Sequence, residues 1–192
     1  MQAVFLDKDG TLVENVPYNV DPALVLLTAG AGPALRLLHQ QGYALFVVSN
    51  QGGVARGLFS ERDLEPAWRR LQELVREEGV ALDGFVYCPH DPRGKPGRYA
   101  VSCSCRKPMP GMLLRLARQH GIDLSASWMI GDILDDVEAG RRAGCRTVLI
   151  DNGNETEWKS GPMRTPDLVA SDLLRAARGI HARQTLTAKA YR

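Results

Sequence analysis

Short, β-rich apolar runs of strand length alternate along this chain with longer stretches whose apolar residues recur at helical spacing. The runs are Ala3 to Leu6, Ala44 to Val48, Gly84 to Tyr87, Ser127 to Ile130 and Arg146 to Ile150. Their lengths predict strands of a buried sheet. Between them, Gly32 to Gln41 places Leu35 and Leu38 on one helical face and stops before Gly42, a good terminator. Ser60, with Asp63 three residues on, forms a capping-box pattern. It predicts a helix from Ser60 to about Glu78, ended by Gly79. Further helices are predicted over Gly111 to His120, Asp135 to Ala143 and about Leu168 to Arg178. Cys88 to Pro108 and Asn152 to Pro166 are dense in Gly, Pro and polar residues and read as irregular loops. The segment after Gly179 shows no clear apolar face, so residues 181–192 are expected to form a fraying C-terminal tail.

Strand–helix alternation of this kind implies parallel βαβ units with right-handed crossovers. The expected fold is an α/β doubly wound parallel sheet within one domain, residues 1–180. Ligands of such sheets lie beyond the carboxyl ends of the strands, so chemistry should follow each strand at once. It does so at Asp7, Ser49, Cys88, Gly131-Asp132 and Asp151.

Composition narrows the class. A chain of 192 residues, 44% hydrophobic and 24% charged, can bury the core of one globular domain. A net charge of +2 gives no support for nucleic acid as a partner. No apolar run is long enough to span a bilayer, and charges follow the first strand too soon for a signal peptide. The protein is expected to be cytoplasmic, monomeric and free of membrane and nucleic-acid partners. In a reducing compartment its four cysteines are not expected to pair as disulfides. Cys145, just before an apolar strand, reads as a small buried hydrophobe.

The candidate chemistry begins with Asp7 and Asp9, which share one side of an extended chain before Gly10 lets it turn. Adjacent carboxylates repel unless a cation or shared proton compensates, and magnesium takes oxygen ligands of this kind. Asp7 could attack phosphorus, and Asp9 could give and take the proton. An Asp-Gly turn is the plainer alternative. Ser49 and the backbone N–H groups after the second strand suit a phosphoryl oxygen. Lys107, flanked by Pro108, could neutralise a transferring phosphoryl group. Asp132 ends the fourth strand and is the natural further magnesium ligand. Asp135 and Asp136 are open to a second reading, as acidic residues in a helix's first turn.

In this order, D-x-D-G-T at 7–11, Ser49, Lys107 and G-D-x-x-x-D at 131–136 resemble the four motifs of the haloacid dehalogenase superfamily. The resemblance implies a Rossmann-like core, Asp7 as nucleophile and Asp9 as general acid/base. It also implies magnesium on Asp7, Asp132 and the Asp9 backbone carbonyl, with Ser49 and Lys107 holding the phosphoryl group.

Cys88, His90, Cys103 and Cys105 add three thiolates and an imidazole within one loop. Four such ligands make a closed tetrahedral zinc site, and the Pro- and Gly-rich segment between them has little else to order it. C-P-H-D-P followed by C-S-C-R-K-P-x-P-G-M resembles the branch that contains D-glycero-D-manno-heptose 1,7-bisphosphate 7-phosphatases and histidinol-phosphate phosphatases. That branch lacks a large cap, and no gap here leaves room for one. Gln51 to Gly57 and Asn15 to Tyr18 are similar to the heptose group. The resemblance therefore favours removal of the 7-phosphate from a heptose bisphosphate. It implies Asn15, Tyr18, Asn50 and Gln51 as sugar and phosphate contacts and Arg106 as a partner of the distal phosphate; a bisphosphate would also explain cationic Arg56 beside Arg106 at the mouth. Gly52 and Ile133 depart from the pattern, where serine and lysine are usual. The alternatives are a histidinol-phosphate phosphatase, whose pocket would carry more acid and fewer arginines, and a zinc-stabilised interaction module on an inactive scaffold.

Overall fold

A computed structural model of the chain describes the backbone of residues 1–190 and side chains through Thr185. Its elements in order are β1 (Ala3–Leu6), α1 (Ala31–Gln40), β2 (Ala44–Asn50), α2 (Leu64–Glu77), β3 (Gly84–Cys88), α3 (Gly111–His120), β4 (Trp128–Gly131), α4 (Leu134–Ala143), β5 (Arg146–Ile150), β6 (Leu168–Ala170) and α5 (Leu173–Ala190). All strand pairs are parallel, in the order β3-β2-β1-β4-β5-β6. This is the doubly wound arrangement, with β1 and β4 flanking the point where the strand order reverses.

The period-2 alternation of strand side chains divides the core between the two faces. Val4 and Leu6 of β1 pack with Leu35, Leu38, Leu71 and Ile180 under α1, α2 and α5. Ala3 and Phe5 turn the other way, onto Met112, Leu113 and Leu116 of α3. On that face α4 approaches the sheet so closely that a Cβ on Gly140 would lie 2.6 Å from both Met129 and Thr147. Among the described residues, no helix is long and apolar enough to cross a membrane.

Four expectations need correction. The sheet has a sixth strand, because Leu168–Ala170 pairs with β5 rather than opening the last helix. A three-residue apolar run is ambiguous between strand and helix, and the backbone edge of β5 decides it. Asp172 then accepts from the Arg175 N–H at 2.8 Å and starts α5 at Leu173. Ser60 does not open α2 directly. Its N–H and hydroxyl both donate to Asp63, at 2.7 and 2.8 Å, and a 3-10 turn over Glu61–Asp63 precedes the helix. Ser49 is not past β2 but inside it, paired with Tyr87. Finally, helix continues to Ala190 instead of ending near Arg178. Ile180 is fully buried, and Gln184 Nε2 donates to the Tyr43 hydroxyl at 2.6 Å. Of the expected tail, residues 191 and 192 lie outside the described residues.

Candidate active site

Asp7 leaves the end of β1 with its N–H bonded to the Ile130 carbonyl of β4 at 2.9 Å. Asp132 leaves β4 beside it, and Asp136 comes up from the first turn of α4. A carboxylate oxygen from each of the three lies within 4.8 Å of the others, and all three residues are buried. Lys107 reaches into this group from the loop before α3. Its ammonium contacts Asp7 Oδ1, sits 2.6 Å from Asp136 Oδ1, and donates to the Val48 carbonyl at 3.1 Å. Asn50 clamps the Lys107 backbone at both groups, donating to its carbonyl and accepting from its N–H, each at 3.0 Å.

The open reading of the α4 acids is thereby divided. Asp135 faces outward to Arg164 at 2.5 Å. Asp136 is wholly buried against Lys107 and also accepts from the Ile133 N–H at 3.3 Å. Asp132 is held by Thr11 Oγ1 at 3.4 Å and Asn154 Nδ2 at 2.7 Å. Gly10, at φ 83°, makes the left-handed turn that returns the chain past Asp132; a side chain there would run into Asp132 and Asn154.

Asp9 is set to one side. It takes the Lys8 ammonium at 2.6 Å and Gln51 Nε2 at 3.3 Å, and the same Gln51 nitrogen donates to Ser49 Oγ at 2.8 Å. Burial raises the Asp9 carboxyl above the usual range; Lys8 opposes this and Asp7 adds to it. Burial, with the Asp7 charge behind it, pushes the Asp132 carboxyl up to about 7. Burial pushes Asp136 up as well, against the pull of Lys107. Lys107 itself is held charged, because Asp136 and Asp7 outweigh its own burial. Three buried carboxylates facing one ammonium leave an excess of negative charge that burial makes costly. A hard divalent cation with oxygen ligands offsets such an excess, so the donor set fits magnesium.

Two cavities flank this centre. One, of about 250 Å³, is lined by Asp9, Asn15, Tyr18, Asn50 and Gln51 among others. The Arg56 guanidinium lies 5.6 Å from the Tyr18 ring centroid, within cation–π range. The other cavity, of about 800 Å³, joins Lys107 to Arg106, Arg93 and Asp91. The structure thus gathers Asn15, Tyr18, Asn50 and Gln51 around one cavity and Arg106 around the other, with Arg56 between them, over Tyr18 and bonded to Asp91.

The four loop ligands also converge. Cys88 Sγ lies 2.9 Å from Cys105 Sγ and 3.5 Å from Cys103 Sγ, and Cys103 and Cys105 are 3.2 Å apart. His90 Nδ1 is 3.5 Å from Cys88 Sγ and 3.4 Å from Cys105 Sγ. None of these cysteines is in a disulfide. A tetrahedral zinc with Zn–S bonds of about 2.3 Å holds its ligand atoms at comparable mutual distances. The donor chemistry and the spacing both fit that ion. Cys145 is buried away from the cluster.

Lys8, Asn152 and Asn154 carry no sequence signal that singles them out, and Asp91 stands in the C-P-H-D-P stretch with no role of its own attached. Asn152 Nδ2 reaches the Gly10 carbonyl at 2.8 Å and, with Asn154, ties the loop after β5 to the site. Such contacts span 142 and 22 residues along the chain and follow no local period.

An acidic pocket at the β1–β4 switch point, crossed by one lysine, defines a phosphatase of the haloacid dehalogenase superfamily, and the chain belongs to that superfamily. Residues 104–176 match the HAD-hydrolase-like family. Within it, the chain is 40% identical over 181 residues to the D-glycero-beta-D-manno-heptose-1,7-bisphosphate 7-phosphatase of Photorhabdus laumondii, spanning 93% of this chain and 96% of that protein. The protein of the same name from Escherichia coli K12 is 40% identical over 152 residues, 79% of this chain and 80% of its own length. The solved D,D-heptose 1,7-bisphosphate phosphatase of B. bronchiseptica, complexed with magnesium and phosphate, superposes with a TM-score of 0.81 at 30% identity, covering 95% of this chain and 99% of that one.

Proposed function

We propose that this chain is a magnesium-dependent phosphomonoester hydrolase that removes the 7-phosphate of a D-glycero-D-manno-heptose 1,7-bisphosphate through an aspartyl-phosphate on Asp7. The observation that carries the reading is the buried Asp7–Asp132–Asp136 group with Lys107 among it, at the carboxyl ends of β1 and β4. Relatives named for this activity extend over almost the whole chain.

An Asp7 carboxylate oxygen forms the new bond to phosphorus as the bond to the sugar oxygen breaks. Asp9, beside Asp7 and steadied by Lys8 and Gln51, gives its proton to that leaving oxygen. Water then forms its bond to phosphorus, Asp9 takes back a proton, and the Asp7–phosphorus bond breaks. Lys107 and Ser49 hold the phosphoryl oxygens, and Asp136 fixes Lys107. Magnesium would rest on Asp7, Asp132 and the Asp9 carbonyl, where it would neutralise phosphate charge. Thr11 and Asn154 keep Asp132 aimed.

Zinc on Cys88, His90, Cys103 and Cys105 would be structural, because four ligands leave no open position. Arg106 and Lys107 follow Cys105 directly. Arg106 also bonds back to the cluster, donating Nη1 to the His90 carbonyl at 2.9 Å and its N–H to Cys103 Sγ at 3.3 Å. The arginines at the cavities favour a second phosphate over the amine of histidinol phosphate.

Phosphate release from heptose 1,7-bisphosphate, fructose 1,6-bisphosphate and histidinol phosphate, with magnesium and with excess chelator, tests the reading. The expected result is a preference for the heptose of at least about tenfold in kcat/KM, lost with chelator. A preference for histidinol phosphate would overturn the substrate, and chelator-insensitive release would overturn magnesium.

A further inference from the structure

Asp91 stands directly after the zinc ligand His90 and is 1% exposed. It draws guanidinium groups from three separate parts of the chain. Arg56, from the loop after β2, donates Nε and Nη2 to Asp91 Oδ2 at 3.2 and 3.0 Å. Arg93 donates its N–H and its Nε to Asp91 Oδ1 at 3.0 and 3.4 Å. Arg106 brings Nη2 to 3.6 Å of Oδ2, too far for a hydrogen bond but within strong Coulombic reach.

A buried carboxylate needs compensation, yet one guanidinium supplies it. Here three surround a single anion and leave two net positive charges, and two of the three, Arg93 and Arg106, line a cavity that also reaches Lys107. That surplus matches a phosphate dianion. The arginines remain accessible to a ligand, with side chains of Arg56, Arg93 and Arg106 exposed by 36%, 76% and 23%. The contact is also tight at Gly52, where a Cβ would lie 3.2 Å from Arg106 Nη1 and 3.3 Å from Asp91 Oδ2. A bare backbone leaves both groups their positions.

We propose that Asp91 is a positioning residue for substrate specificity. It orients Arg56 and Arg106, with Arg93 beside them, to bind the phosphate of the substrate that is not cleaved. The proposal rests on the bisphosphate reading above. Asp91 acts through the arginines and takes no part in bond making.

The test compares heptose 1,7-bisphosphate with heptose 7-phosphate, which share the cleaved phosphate and differ only in the distal one. Asp91→Asn is expected to lower the bisphosphate-to-monophosphate ratio of kcat/KM about tenfold, with the loss carried by KM. An unchanged ratio, or an equal loss on both substrates, would overturn the role. If Asp91→Asn does not fold, Asp91→Glu asks the same question: it keeps the charge and all three arginines but moves the carboxylate by one methylene, off the Arg56 Nε and Nη2 grip. A fallen ratio then supports positioning, and a retained ratio contradicts it. A wild-type protein that shows no preference for the bisphosphate would overturn the bisphosphate reading itself, whereas a wild-type preference that Asp91→Asn retains would overturn only Asp91.

Discussion

Asp7→Asn is expected to abolish phosphate release, lowering kcat by at least about 10⁴-fold, while the protein stays folded. The amide has nearly the shape of the carboxylate but is not a nucleophile toward phosphorus. Asp7 is held by its backbone N–H to Ile130, which the substitution leaves alone. The change also removes one negative charge from a group in which three buried acids share one lysine. The metal-free variant should therefore melt no lower than the metal-free parent. Phosphate-release assays beside thermal melts check both halves. A variant with near wild-type rates would sink the covalent route, and an unfolded variant would sink the picture of Asp7 as an over-crowded acid.

Cys103→Ala is expected to lose zinc, stability and activity together. Residues between the two halves of the cluster include Pro92, Gly94, Pro96 and Gly97, and few of their side chains are buried. With zinc as proposed on the cluster, the loop's order would rest on that metal and on a few polar contacts. Among these, Lys95 donates its N–H to the Ala55 carbonyl at 2.9 Å, which joins the loop to the Arg56 segment. Without the ion, Arg106 would lose its ties to His90 and Cys103, and Lys107 would be left to the Asn50 clamp and its acids. We expect a melting temperature lower by about 10 °C and kcat/KM lower by about 100-fold, with metal analysis showing no stoichiometric zinc. Cys145→Ala should retain the zinc, since Cys145 lies outside the cluster. A zinc-free Cys103→Ala protein with unchanged melting and activity would contradict the structural role.

The elements that carry the chemistry were the legible ones. β1, β2 and β4 are buried on both faces and read as unbroken apolar runs, so the residues at their carboxyl ends, Asp7, Ser49 and Asp132, were visible at once. The four zinc-type ligands were visible because their chemistry is rare and their spacing short. β6 was not, since half-buried Leu168 and exposed Val169 suit a helix start as well as an edge strand. The end of α5 was missed because its packing depends on Ile180 and on a bond from Gln184 to Tyr43, 141 residues away in sequence. In the sequence Asp136 is open between an acid of the site and a favourable charge in a helix's first turn, and the tertiary arrival of Lys107 is what distinguishes it from Asp135. Asp91 and Asn154 owe their roles wholly to partners brought by folding.

The most direct test of the covalent route uses Asp9→Asn with p-nitrophenyl phosphate. A nitrophenolate leaves without needing a proton, so the first step needs no acid, while breakdown of the aspartyl-phosphate still needs a base. The account predicts a burst of one nitrophenolate per active site, followed by slow turnover, with one phosphoryl group found by mass spectrometry on the peptide that contains Asp7. A single slow phase with no phosphoryl group on Asp7, or with the group on another residue, would contradict it.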